Sequence, residues 1–283
     1  MTVLHHRLSA LAFAVILAFG NCANAQPIVD SLFAPSLGQT RAVVILLPAQ
    51  FDSAARYPIL YLLHGYGGSH MDWTERTGIE EFIAEWPLIV VMPDAGNSWY
   101  VNSRTRASDR YEDYIIHDVR LYVEGRFRVD STRRAIVGLS MGGYGALMLA
   151  MRHPDLYRFA GSLSGAVVVP RSLLRPVDIP PRPATRSTQQ AAFGEPTEEL
   201  FKDYDLQRLV STLTPSTSPY MYLVTGIQDA LVEFLPAQRA LTEELRNAQL
   251  PYEFHETPGG HSWPYWDREI RPMLTRMREV LRY

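Results

Sequence analysis

The sequence predicts an α/β fold with a mainly parallel central sheet and helices on both of its faces. Three observations carry this. Short β-branched apolar runs alternate along the chain with longer amphipathic segments, the pattern of repeated strand–helix units. Most runs are continuously apolar rather than alternating, as required of strands buried on both faces. No second compositional regime interrupts them, and 283 residues with 47 % hydrophobic and 20 % charged content are ample for one large core.

The first 25 residues read as a leader. His5, His6 and Arg7 form a weakly basic start, Leu8 to Gly20 is an apolar stretch, and Ala23-Asn24-Ala25 offers an A-x-A cleavage site. The apolar run is shorter than the roughly 20 residues a membrane span needs, so a cleaved signal is favoured over a retained anchor. Lipidation at Cys22 is disfavoured by Asn21 before it. Cleavage would leave a mature chain of residues 26–283, expected to form one domain. Cys22 is the only cysteine, so that chain would have no thiol chemistry and no disulfides. The expected location is periplasmic or secreted, without stable membrane insertion once the leader is gone.

The strand candidates follow in order: Ala42 to Leu47, Ile59 to Leu63, Leu88 to Met92, Ala135 to Leu139, Ala160 to Ser164, Tyr220 to Thr225 and Tyr252 to Thr257. Helical candidates lie between and after them: Thr77 to Trp86, Tyr111 to Phe127, Gly142 to Arg152, Phe234 to Ala248 and Trp263 to Leu281. The stretch from Ala166 to Pro219 breaks the rhythm. Its prolines, among them Pro176, Pro180, Pro181 and Pro183, predict no long helix and no clean strand. It follows a strand whose C-terminal end faces the ligand crevice of an open α/β sheet, so a lid over a site is expected there in preference to a mobile surface loop.

Gly138-Leu139-Ser140-Met141-Gly142 is a G-x-S-x-G element after a strand and before a helix, the context of a nucleophile elbow. The serine of such an elbow sits in a sharp turn, where glycine two residues before and two after removes colliding side chains. Gly143 and Gly145 would let the helix start close to the sheet. Ser140 would stand at a helix N-terminus, where free N–H groups and the dipole favour a developing anion.

A serine hydroxyl needs a base held by a third group. After Ser140, Asp229 follows a strand in VTGIQDALV, and His261 stands in the Gly-rich turn TPGGHSWPYW after another. Glu233, one helical turn beyond Asp229, is the alternative acid. His255 lies inside a strand and suits packing or the surface; His70, His117 and His153 precede or sit away from the expected site, and Asp94 shapes a loop. An oxyanion hole would take the backbone N–H of Met141 and, from the glycine-rich LLHGYGGSHMDW, that of Tyr66. Substrate-pocket candidates are His64, Trp99 and Trp263, with Tyr100, Tyr265 and Trp266 as further aromatic neighbours.

The stretches LLHGYGGSHMDW, VVMPDAGNSWYVNS, YEDYIIHDV, VGLSMGGYGALMLAMRHPDLY, GSLSG, TGIQDALVEF and GGHSWPYW together resemble the esterase D branch of the α/β-hydrolases, over nearly all of the chain after about Leu32. That branch includes feruloyl, acetylxylan and tributyrin esterases, S-formylglutathione hydrolases and secreted mycolyltransferases. The resemblance implies the α/β-hydrolase fold, Ser140 as nucleophile, Asp229 as acid, His261 as base, and Tyr66 and Met141 as oxyanion donors. It implies an exported serine carboxylesterase of short-chain or aromatic acyl esters. The alternatives are an acyltransferase to a sugar or lipid alcohol and an S-formylglutathione hydrolase-like thioesterase, whose cytosolic members lack a leader.

A net charge of -3 without basic runs gives no field for a nucleic-acid backbone, so the expected partner is a small-molecule ester and not nucleic acid. No phosphate loop and no zinc-type spacing appear, so no cofactor and no metal are implied. The sequence does not specify an oligomeric state.

Overall fold

The computed structural model describes residues 27–174 and 183–283. The leader, its cleavage site, Cys22, Pro176, Pro180 and Pro181 lie outside the described residues. The strands are β1 (Ile28–Ala34), β2 (Gln39–Leu46), β3 (Tyr57–Leu63), β4 (Ile89–Pro93), β5 (Val129–Leu139), β6 (Phe159–Leu163), β7 (Tyr220–Gly226) and β8 (Tyr252–Thr257). They pair into one sheet in the order β1-β2-β4-β3-β5-β6-β7-β8. Every pairing from β4 onward is parallel, whereas β1 pairs with β2 and β2 with β4 antiparallel. The sheet is therefore mainly parallel, with an antiparallel edge.

All seven expected strands form, to within a few residues at their ends. β1 is an addition to the sequence reading. Its register on β2 runs from Ile28 opposite Ile45 to Ala34 opposite Gln39, but Asp30 and Ser31 interrupt its apolar run and Val29 and Phe33 face solvent. β5 also starts six residues earlier than its apolar core, through the polar Asp130-Ser131-Thr132.

On β3, Tyr57, Ile59, Tyr61 and Leu63 point to one face, and Leu60 and Leu62 to the other. Both faces are buried, which is why the run is apolar without alternation; each such side chain contributes about 1.5–3 kcal/mol on burial. The first face is covered by α3 (Tyr111–Asp113), which runs through a π-helical turn (Tyr114–Val119) into α4 (Arg120–Arg126), and by α5 (Met141–Arg152) and α9 (Phe234–Asn247). The second is covered by α1 (Asp72–Arg76), α2 (Ile79–Ile83) and α10 (Trp263–Leu281). The helix expected from Thr77 to Trp86 forms only as the shorter α2, and α1 is an addition that precedes it. Thr77 is extended and the N–H of Gly78 donates to Asp267 Oδ1 at 2.9 Å, so the chain kinks between α1 and α2.

Among the described residues, the segment between β6 and β7 holds short helices and no strand. A 3₁₀ turn (Arg171–Leu174) is followed by α6 (Pro183–Phe193), α7 (Glu198–Tyr204) and α8 (Leu206–Val210). α6 begins at Pro183, where a proline ring is compatible with a helix start. Thr197 and Asp205 cap α7 and α8 by accepting from the N–H of Leu200 and Gln207. The segment is fastened down: Arg171 pairs with the buried Asp205 at 2.6 Å, Tyr144 donates to the Tyr204 carbonyl at 2.9 Å, and Trp99 Nε1 donates to Thr188 Oγ1 at 3.2 Å. Beneath it the buried Glu112 takes hydrogen bonds from Arg152 at 2.8 Å and from His153 at 2.7 Å. Burial alone would raise the Glu112 carboxyl, but these two partners outweigh it and hold the group below its ordinary range.

Candidate active site

Ser140 occupies the turn from β5 into α5 with φ 53 and ψ -116, outside the ordinary regions for a non-glycine residue. Such a conformation costs on the order of 1–3 kcal/mol and persists only where its surroundings over-determine it. Here the Ser140 N–H donates to the Leu163 carbonyl at 2.9 Å, and its carbonyl accepts from Ala166 at 2.9 Å and Tyr144 at 3.1 Å. Gly138 and Gly142 are required by close approach. A Cβ on Gly138 would fall 2.3 Å from the Gly142 carbonyl oxygen, and one on Gly142 would fall 2.5 Å from that of His64. Gly145 makes room for the ring of Tyr100 rather than for the sheet, since a Cβ there would lie 2.5 Å from that ring.

Three side chains from three loops meet in a line. The Ser140 hydroxyl donates to His261 Nε2 at 2.9 Å, and His261 Nδ1–H donates to Asp229 Oδ2 at 2.9 Å. The other Asp229 oxygen accepts from the N–H of Leu231 at 2.8 Å, and the carboxylate is almost wholly buried. Asp229 follows β7, and His261 lies between β8 and α10. All three residues thus stand beyond the C-terminal ends of parallel strands, as the sequence order requires. Glu233 borders the cavity, but the imidazole is bonded to Asp229. His255 stacks on Tyr222 with centroids 4.8 Å apart, inside β8 and away from this line.

The loop after β3 presses against the Ser140 turn: a Cβ on Gly65 would lie 3.6 Å from that of Ser140. Tyr66, Gly67 and Gly68 line the same cavity as Ser140 and His261. Met141 opens α5, so its N–H belongs to the unpaired first turn of the helix. The cavity, of about 440 Å³, is also walled by Trp99, Trp263 and Trp266, by Leu231 and Phe234, and by Val168, Val169 and Gln189 of the β6–β7 segment. Described residues of that segment therefore form part of the cavity wall beside the serine. Asp72, Arg76 and Glu233 bring charge to the lining.

His64 does not line the cavity, which corrects its reading as a pocket residue. It is buried behind the loop, donating from Nδ1 to the Gly65 carbonyl at 2.8 Å and accepting at Nε2 from the Ala95 N–H at 3.0 Å. Burial holds its pKa below the ordinary 6.5, so the ring is neutral and ties the β3 loop to the loop after β4. Tyr100 and Tyr265 likewise pack in the core, Tyr100 donating to the His64 carbonyl at 2.9 Å. Val168, Val169, Gln189, Leu231 and Phe234 were not singled out by sequence, because nothing in their local pattern marks them as pocket walls.

Among the described residues no group of three or more His, Cys, Asp and Glu side chains could hold a metal, and no helix is long and apolar enough to cross a membrane.

Comparison with known proteins places this geometry. The esterase family described as Putative esterase matches residues 34–277. An acetyl esterase of Caldicellulosiruptor saccharolyticus is 28 % identical over 225 residues, covering 78 % of this chain and 83 % of that protein. Esterase Rv1288 of Mycobacterium tuberculosis is 33 % identical over 248 residues, covering 80 % of this chain but 53 % of that protein, so the chain spans about half its length. The solved structure of FphF, a fluorophosphonate-binding serine hydrolase of Staphylococcus aureus, superposes with a TM-score of 0.77 at 25 % identity, covering 89 % of this chain and 98 % of that one. The fold is that of the α/β-hydrolases, and the protein is a serine hydrolase acting on carboxylic esters. The chain belongs to the Putative esterase family.

Proposed function

We propose that this protein is an exported carboxylesterase that hydrolyses short-chain or aromatic acyl esters through a Ser140–His261–Asp229 triad. The observation that carries the reading is the continuous chain of two 2.9 Å hydrogen bonds from Asp229 through His261 to Ser140, laid at the head of α5 beside a cavity. Ser140 Oγ attacks the ester carbonyl while His261 Nε2 takes its proton. Asp229 holds the imidazole with Nδ1–H turned inward, so that Nε2 is the free base. The tetrahedral oxyanion settles on the N–H groups of Met141 and Tyr66, each worth on the order of 3 kcal/mol in such sites. Collapse expels the alcohol, which receives the proton from His261. Water, activated by the same imidazole, then cleaves the acyl-enzyme.

The cavity and its three indole walls favour a compact acyl group or a flat ring, and the acetyl esterase among the relatives supports the short-acyl reading. The leader, with Ala23-Asn24-Ala25 before Gln26, supports export to the periplasm or beyond. The test is a set of 4-nitrophenyl esters assayed with and without added sugar or lipid alcohols. Hydrolysis of the acetyl ester that is unchanged by acceptors supports the esterase; a larger yield of transferred acyl product than of free acid would make it an acyltransferase. N-terminal sequencing of protein from the native envelope should begin at Gln26, and Cys22 in the mature chain would overturn the export site.

A further inference from the structure

The tetrapeptide Leu163-Ser164-Gly165-Ala166, which leaves β6, is tied to the Ser140 turn, to β7, to α9 and to α10. The Leu163 carbonyl and the Ala166 N–H hold the backbone of Ser140 from both sides, each at 2.9 Å. The Ser164 N–H donates to the Val224 carbonyl at 2.8 Å, on the strand that leads to Asp229. The Gly165 carbonyl accepts from Gln238 Nε2 of α9 at 2.9 Å. Finally, Ser164 Oγ accepts from the indole Nε1–H of Trp266 at 3.3 Å. That indole stands perpendicular to the imidazole of His261, with centroids 4.9 Å apart and an interplanar angle of 86°.

Ser164 is fully buried and sits at φ 44, a left-handed backbone that glycine would adopt without strain. What serine adds there is a hydroxyl, and its partner is Trp266. His261, meanwhile, follows Gly259 and Gly260, with Gly259 at φ 143. The imidazole is oriented by its two hydrogen bonds and by the perpendicular rings of Phe234, at 5.6 Å, and Trp266.

We propose that Ser164 and Trp266 form a positioning pair for the base: the Ser164 hydroxyl fixes the indole, and the indole fixes the plane of the His261 ring so that it spans Ser140 and Asp229. Because Ser164 belongs to the segment that also grips the Ser140 backbone, one short peptide sets the placement of nucleophile and base together. This rests on the reading of Ser140, His261 and Asp229 as a triad. Misplacement of a reacting group by about 1 Å can cost on the order of a hundredfold in rate, so loosening the ring appears in turnover before it appears in binding.

The decisive variant is Ser164→Gly, which keeps the left-handed backbone and deletes only the acceptor. Trp266→Phe keeps a ring against His261 and deletes the donor, together with part of a cavity wall. With 4-nitrophenyl acetate and the purified full chain, each should lower kcat about 5- to 20-fold, and in Ser164→Gly, which leaves the cavity lining intact, KM should stay within about twofold. The double variant should be no slower than the slower single one, because both remove the same bond. Thermal unfolding of Ser164→Gly should stay close to wild type, since relief of the left-handed serine backbone offsets the indole N–H left without its acceptor. Wild-type kcat in Ser164→Gly, losses that multiply in the double variant, or an effect confined to KM would each overturn the proposal. Failure of the triad reading looks different: Ser140→Ala would then retain activity, whatever the Ser164 variants do.

Discussion

His261 takes Asp229, and not Glu233, as its carboxylate partner: Nδ1 lies 2.9 Å from Asp229 Oδ2. Both acids stand in the β7–α9 loop and sequence order allowed either. Asp229→Asn should therefore lower kcat by about 10³- to 10⁴-fold, through a misdirected imidazole tautomer, while Glu233→Gln should stay within about fivefold. Steady-state kinetics on one acetyl ester decides this, and the opposite ranking would transfer the role to Glu233.

Close approach of the backbone makes a second prediction. Gly142→Ala would set a Cβ 2.5 Å from the His64 carbonyl oxygen and 2.7 Å from that of Leu63, whereas Gly125, inside α4, has nothing within 4 Å of the added atom. Urea unfolding should show Gly142→Ala destabilised by about 1–3 kcal/mol or more. Gly125→Ala should be stabilised by about 0.5–1 kcal/mol. Equal effects at the two sites would contradict the packing of α5 against the β3 loop.

The buried His64 predicts an acid-sensitive fold. Its folded pKa lies below the ordinary 6.5 because burial disfavours the charged ring. As the pH falls through 6.5 the unfolded chain binds this proton first, so its contribution to stability is fully present above that pH and is lost below it. Unfolding free energies at pH 7.5 and pH 5 should differ more in wild type than in His64→Gln. An identical pH dependence in the two would remove His64 from the explanation.

Substrate length follows from the walls of the cavity. With Val168, Val169 and Gln189 of the β6–β7 segment walling the cavity beside Ser140, acetyl to butyryl or hydroxycinnamoyl esters should be cleaved with at least about tenfold higher kcat/KM than palmitoyl esters of the same alcohol. That is roughly 1.4 kcal/mol of transition-state binding. Equal or better turnover of a solubilised palmitoyl ester would argue for a lipase-like open groove.

These residues differ in how far sequence could reveal them. β3 and β5 were legible because burial on both faces leaves an unbroken apolar run, Ser140 and Asp229 because each follows such a run in turn-forming company, and His261 because it stands in a Gly-rich turn after the alternating YEFHET. β1 was hidden by Asp30 and Ser31, since an edge strand is specified by its partner's register rather than by its own composition. α6 was hidden by the prolines before it, which limit where a helix starts but not whether one forms. His64 was misplaced from cavity to core because its direction depends on Ala95, a residue 31 positions away whose N–H it accepts. The bond between Ser164 and Trp266, 102 residues apart, exists only once the loops are folded together.

The central claim, that Ser140 is the nucleophile, is tested most directly by reaction with a fluorophosphonate followed by peptide mass spectrometry. Wild-type protein should carry the label on Ser140 alone and lose esterase activity in proportion to labelling. Ser140→Ala should take no label, fold normally and turn over acetyl esters about 10⁴- to 10⁶-fold more slowly. Label on another residue, or near-wild-type hydrolysis by Ser140→Ala, would contradict it.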